Sequence, residues 1–136
     1  VIGTLVGSIA DAGTSARKAL AGIQAIPAWG SAPRPALSED LLPERALNGD
    51  PLARATLVGD IYMPLVTAGT PLVDTLEEYL AEGRSLEGAA RRLFVHPNTV
   101  RYRLRRISEV VGLDPTDARE GYVLQTALAI GRLASP

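Results

Sequence analysis

The residues best suited to chemistry in this chain cluster between 85 and 106, SLEGAARRLFVHPNTVRYRLRR. Residues 84–106 carry seven Arg and a single Glu, a balance of +6, whereas residues 1–83 carry five basic and ten acidic side chains, a balance of −5. Residues 107–136 hold two Arg and four acids, so the overall charge of −1 conceals one basic segment on an acidic body. Arg is a planar, permanently charged donor fork, and a concentration of it attracts polyanions locally. The other polar residues in the segment are Asn98, Thr99, Tyr102 and the only histidine, His96. Together they offer the hydrogen bonds that base edges and phosphates accept or donate.

The spacing in this segment predicts two short helices joined by a tight turn. Ser85 is an N-cap type, and Glu87 in the first turn suits the helix dipole. Leu86, Ala89, Ala90 and Leu93 fall at i, i+3, i+4 and i+7, and the two alanines let a second helix cross closely. Phe94-Val95-His96 is a three-residue turn, and Pro97 restarts a helix at its first position, where the missing N–H costs nothing. Val100, Leu104, Ile107 and Val111 then face inward, while Asn98, Tyr102, Arg105 and Glu109 lie opposite, flanked by Thr99, Arg101 and Arg106. This is a helix-turn-helix, and its second helix reads bases from its N-terminal turns. The base-reading set is therefore His96, Asn98, Thr99, Arg101 and Tyr102. Arg can grip guanine and Asn adenine through paired bonds, each good pair discriminating by about 1–3 kcal/mol. Phosphate contacts fall to Arg91, Arg92, Arg103, Arg105 and Arg106, with the free N–H groups at the Ser85 end helping. Roughly five to seven such contacts imply a slope of log affinity on log salt on the order of −5. Many helix-turn-helix sequences carry Gly where Phe94 stands, because the turn can require positive φ.

Other chemistries find little support. The absence of cysteine removes disulfides, thiolate metal sites and thiol nucleophiles, and one histidine makes no metal site. Glu39-Asp40 and Glu77-Glu78 are adjacent in sequence and do not face each other on a helix. Gly3-x-x-x-Gly7 lacks the Lys that completes a phosphate loop, and no GxSxG is present. The chain is read as a non-enzyme with no cofactor and no metal. No apolar run reaches membrane-spanning length and no basic-then-apolar leader opens the chain, so a cytoplasmic, nucleoid-associated location is expected. A first residue of Val rather than Met reads as a piece of something longer.

The elements that must position this segment follow from local signals. Residues 1–9, β-branched and apolar, predict a strand. Thr14 or Ser15 starts a helix to about Ile26, with Ala16, Leu20 and Ile23 roughly on one face. Pro27, Pro33 and Pro35 mark 27–37 as a surface loop and unit boundary. A short helix begins at Ser38 or Asp40 and stops at Asn48-Gly49. Asp50-Pro51 starts another, through Tyr62 to about 66. A third spans 71–82, with Leu72, Val73, Leu76, Tyr79 and Leu80 as its stripe, and Gly83 ends it. Gly112 ends the second helix of the motif, and a last helix covers about 118–133.

HPNTVRYRLRR resembles the C-terminal helix-turn-helix of PucR/CdaR-type bacterial regulators and, more distantly, the Fis-type motif. SLEGAARRLFV, the GLDP turn and the tail YVLQTALAIGRL extend the resemblance over residues 71–133. It implies a DNA-binding C-terminus behind a domain resembling a degenerate GGDEF cyclase fold, itself preceded by a variable sensor region. Residues 1–26 then look like the last strand and helix of that middle domain, although the GGDEF signature itself is absent. In this family a bulky residue is tolerated at the position of Phe94. The stretch PAWGSAPRPALSEDLLPERALNGDP is closer to an actinobacterial subgroup that activates fatty-acid-synthase genes.

The expectation is thus a mainly α chain with a small N-terminal α/β remnant of a GGDEF-like domain. Residues 1–37 would be that remnant with a Pro-rich linker. Residues 38–136 would be a helical DNA-binding domain, with its helix-turn-helix at 85–110. The expected partners are double-stranded DNA and a second copy of the chain, with no membrane, and with a small-molecule effector bound by domains outside this sequence. A dimerisation module with weak DNA binding of its own is the alternative reading.

Overall fold

A computed structural model describes residues 1–135. Pro136, the last residue of the expected DNA-binding domain, lies outside the described residues. The chain is mainly helical, as the periodicity predicts, and forms two compact units divided between Thr56 and Leu57.

In the first unit, α1 (Ala12–Ala25) follows a 3₁₀ turn, and α2 (Leu42–Leu47) and α3 (Pro51–Thr56) complete the helices. The expected strand at 1–9 does not form. Ile2 alone makes a parallel bridge, its N–H donating to the Ala36 carbonyl and its own carbonyl accepting from the Ser38 N–H, both at 2.8 Å. A strand needs a partner along its length, and Gly3 and Gly7 weaken this one further. No strand occurs among the described residues, so the α/β remnant is not supported. The apolar face of α1 is not the face that packs. Leu20 and Ile23 are 60% and 52% exposed, and the helix packs instead through Gly22 and Ala25. Residues on both sides of the expected boundary at 37/38 lie in this first unit, where Lys18 of α1 pairs with Glu39 at 2.9 Å and α1 packs on α2. Arg45, fully buried, donates to the Ser38 carbonyl at 2.7 Å and pairs with Asp50 at 2.7 Å. Asp50 also caps α3 by accepting from the Leu52 N–H at 2.9 Å, as Asp50-Pro51 predicts.

The second unit opens with a π-helical stretch, Leu57–Tyr62, followed by α4 (Met63–Ala68) and α5 (Thr70–Ala81). The sequence predicts ordinary helix here. Pro64 has no N–H to offer the Asp60 carbonyl and its ring crowds that carbonyl, and a widened turn just upstream relieves both. Then come α6 (Leu86–Leu93), α7 (Pro97–Val111) and α8 (Ala118–Ala134). The core joins Leu57, Ile61 and Leu65 to Leu72, Leu76 and Tyr79 of α5, Ala89 and Ala90 of α6, Val100, Leu104 and Ile107 of α7, and Leu124, Ala127 and Leu128 of α8. Helix α5 is the shared support, touching α4, α6, α7 and α8.

Candidate nucleic-acid interface

The site is built from local signals that the structure bears out one by one. Ser85 caps α6, its hydroxyl accepting from the Gly88 N–H at 3.0 Å. The helix ends at Phe94, whose φ of 56° and ψ of 42° are left-handed. The Phe94 N–H reaches the Arg91 carbonyl and the Val95 N–H the Ala90 carbonyl, which closes the last turn as a Schellman motif. The turn therefore does need the positive φ that glycine usually supplies, and here a phenylalanine, 96% exposed, adopts it. His96 caps α7 through Nδ1, which accepts from the Asn98 N–H at 3.0 Å, and Pro97 occupies the first helical position.

Ala89 and Ala90 are buried at the crossing of α6 with α7, where small side chains admit a close approach. Val100, Leu104 and Ile107 hold the inner side of α7, and His96, Asn98, Arg101, Tyr102, Arg105 and Arg106 stand exposed. Thr99 is half-buried. Asn98 and Arg101 are already joined, Arg101 donating to Oδ1 at 2.6 Å. A groove of about 500 Å³, with Leu86 of α6 and Arg101 and Arg105 of α7 on its walls, brings the start of α6 beside the outer face of α7.

The arginines expected at phosphates divide. Arg91 and Arg105 are exposed and carry no ion pair among the described residues. Arg92 lies 3.4 Å from Glu78 and 3.6 Å from Glu82, and Arg106 lies 3.1 Å from Glu109; all are exposed or half-exposed, so water and phosphate can compete for them. Arg103 differs from these. It is half-buried and donates to Oγ1 of Thr75 at 3.1 Å, and that hydroxyl, wholly buried, donates to the Pro71 carbonyl at 2.6 Å. Arg103 thus ties α7 to α5 through one of its five N–H groups. The signal was in the spacing: position 103 is three residues after Val100 and four before Ile107, on the flank of the inner face. Thr75 was missed because nothing local distinguishes a buried threonine from a surface one.

Two adjacent acids of α5, Glu77 and Glu78, act between helices. Glu78 meets Arg92 of α6. Glu77 accepts two bonds from Arg132 of α8, at 2.5 and 2.6 Å, and these hold its carboxyl below the usual range. Helix α5 so carries one polar tie to each helix of the motif and one to α8.

The comparisons with known proteins agree with this geometry. Residues 72–130 match the model of the PucR C-terminal helix-turn-helix domain. The chain carries a PucR-type helix-turn-helix domain. It is 48% identical over all 136 residues to an uncharacterized protein of Mycobacterium tuberculosis, of which it covers 33%. It is 40% identical over 52 residues to the proline-responsive transcriptional activator PutR of Bacillus subtilis, matching 38% of this chain and 13% of that protein. The crystal structure of a regulator of polyketide synthase expression from Bifidobacterium adolescentis superposes with a TM-score of 0.85 at 45% identity, over 95% of this chain and 51% of that one. The chain spans about a third of the length of the relatives that it matches throughout. No described helix is long and apolar enough to cross a membrane.

Proposed function

We propose that this chain is the DNA-binding end of a transcription regulator, reading a specific duplex sequence by setting the N-terminal turns of α7 in the major groove. One observation carries the reading: His96, Asn98, Arg101 and Tyr102 form an exposed polar face whose reverse side is locked to α5 and α6. Such a face is free to contact bases and too well supported to swing away. Arg91, Arg92, Arg105, Arg106 and the start of α6 serve phosphates. With one N–H of Arg103 held by Thr75, four arginines are presented wholly outward, and they alone give a slope of log affinity on log salt of about −3 to −4 per bound chain. PutR is a transcriptional activator and the Bifidobacterium protein a regulator of expression, and these support a regulatory rather than an enzymatic role for this chain.

The test uses duplexes selected from a random library by the 136-residue chain. Arg101→Ala and Asn98→Ala should each abolish preference for the selected duplex while the melting temperature is unchanged. Undiminished affinity in both variants, or a flat salt response, refutes the reading.

The finer assignments belong to the same proposal. The site residues work in the cytoplasm at the nucleoid, and an effector acts through segments of the full-length protein outside this chain. The resemblance of residues 27–51 to fatty-acid-synthase activators nominates those promoters as targets, which mapping of bound sites across a genome tests. A homodimer presents two recognition helices to a two-fold site. Met63, Val66 and Leu133, 46%, 42% and 85% exposed on α4 and α8, favour self-association, and sedimentation velocity decides it.

A further inference from the structure

We propose that the first unit is a docking platform for the part of the full-length protein that precedes Val1. That part lays an extended apolar segment along the open edge of residues 1–3 and over the face that Ile2 shares with Leu37. The proposal does not rest on the DNA-binding reading. Residues 1–3 and 36–38 run parallel and are connected through α1, and the Ile2 N–H and carbonyl are both spent on the second segment. Val1 and Gly3 turn their own backbone groups to the opposite edge. No backbone hydrogen bond is made there among the described residues.

Helix α1 covers one face of this parallel pair. A Cβ at Gly22 would come within 2.7 Å of Val1 Cγ1, a Cβ at Gly3 would overlap the Ser15 carbonyl, and Ala36 and Ser38 are buried. Side chains alternate along extended chain, so Ile2 and Leu37, side by side in the bridge, share the other face, and about half of each is exposed. At the Val1 end a groove of about 630 Å³ opens, walled by Ile23, Ile26, Trp29 and Ala36, with Arg34 beside them. Parallel pairs belong to sheets covered on both faces, and an isolated two-stranded pair is marginal in water. The buried apolar residues of this unit are mostly alanines, whereas Ile2, Leu5, Ile9, Leu20 and Ile23 stand out in solvent.

The relatives matched over all 136 residues are about three times as long, and the matched domain is C-terminal by its name, so in them most of the chain precedes the residue aligned with Val1. A segment tethered at the edge of the open face is held there at an effective concentration on the order of millimolar. A second copy of the chain has no such advantage, so the occupant is the preceding segment. The surface sets its chemistry: apolar side chains against Ile2, Leu37 and the groove, and backbone donors and acceptors for the open edge.

Hydrogen exchange read by mass spectrometry, on the full-length protein and on the 136-residue chain, tests the proposal. It uses no DNA, so its outcome is separate from that of the duplex selection. The amides of residues 1–5 and 36–38 should exchange at least about tenfold more slowly in the full-length protein, while those of α5, α6 and α7 exchange equally in both. Leu37→Asp and Ile2→Asp each place a charge on the contact face. In the 136-residue chain, where both positions are open, they should leave the melting temperature within about 2 °C of the parent. In the full-length protein each should return residues 1–5 to the exchange rate of the shorter chain. Equal exchange in the two parents overturns the proposal, and so does full protection in both Asp variants. Protection that appears in the 136-residue chain as its concentration is raised assigns the face to a second copy and overturns it as well.

Discussion

Replacing Thr75 by Val tests whether the recognition helix is held by a polar bolt or only by its apolar face. Val keeps the shape of the side chain and removes the hydroxyl that donates to Pro71 and accepts from Arg103. A hydrogen bond to a charged group contributes about 1.5–3 kcal/mol. Arg103 is half-buried, so water replaces part of what is lost, and a destabilisation of about 1–2 kcal/mol is expected. For a chain of this size that lowers the melting temperature by roughly 3–8 °C. A second consequence separates a bolt from ordinary packing. The released Arg103 becomes available to phosphate, so the slope of log affinity on log salt steepens by about 0.9. Thr75→Ser keeps the hydroxyl and should restore both the melting temperature and the slope. Thermal melting by circular dichroism and anisotropy titrations over a salt series measure the two effects. A Val variant that melts within about 1 °C of the parent with the same slope, or a Ser variant that behaves like Val, refutes the reasoning.

Three further outcomes follow from the same structure. A methyl group on Gly131 of α8 would overlap the Tyr62 ring, so Gly131→Ala should destabilise by about 1–3 kcal/mol, and a double mutant with Tyr62→Ala should recover part of that loss in urea unfolding. Phe94→Gly should raise the unfolding midpoint by about 0.5–1 kcal/mol, since relief of the left-handed conformation outweighs the entropy of glycine and the exposed ring loses little burial; an unchanged or lower midpoint contradicts this. Arg132 holds the Glu77 carboxyl below its ordinary value of 4.5, so its contribution is fully present above that pH and is lost as pH falls through the lowered value. The pair is half-exposed and worth at most about 1 kcal/mol, so Glu77→Gln should melt slightly lower than the parent at pH 7, with the gap closing as pH falls through the lowered value; a gap that persists in acid refutes the assignment.

What was legible in the sequence was what the backbone settles locally. Ser85, Pro97, Asp50 and Gly112 each carry a conformational preference strong enough to mark a helix end unaided, and each marks one here. The inward stripe of α7 was equally plain, because Val100, Leu104 and Ile107 repeat at the helical period. The failures share a cause: they depended on what a segment packs against. Residues 1–9 have strand composition and only a one-residue partner at Leu37. Helix α1 has an apolar stripe through Leu20 and Ile23, yet packs through its smallest residues. Pro64 is compatible with a helix end or with a widened turn, and only its neighbours decide between them.

Phe94 and Arg103 show the two ways in which the site itself departed from pattern. At Phe94 the backbone requirement was visible and the residue ran against it: the Schellman closure by Ala90 and Arg91 fixes the left-handed turn whatever the side chain. At Arg103 the composition is silent, because a run of alternating arginines reads as one basic surface. Helical geometry splits that run. Positions 101, 105 and 106 fall outward, and position 103 falls against α5, where a buried hydroxyl waits for it. One residue type thus serves two tasks within a single turn and a half of helix. The arginine on the inner flank ties α7 to α5, and those turned outward stand exposed, Arg101 beside Asn98 and Arg106 beside Glu109.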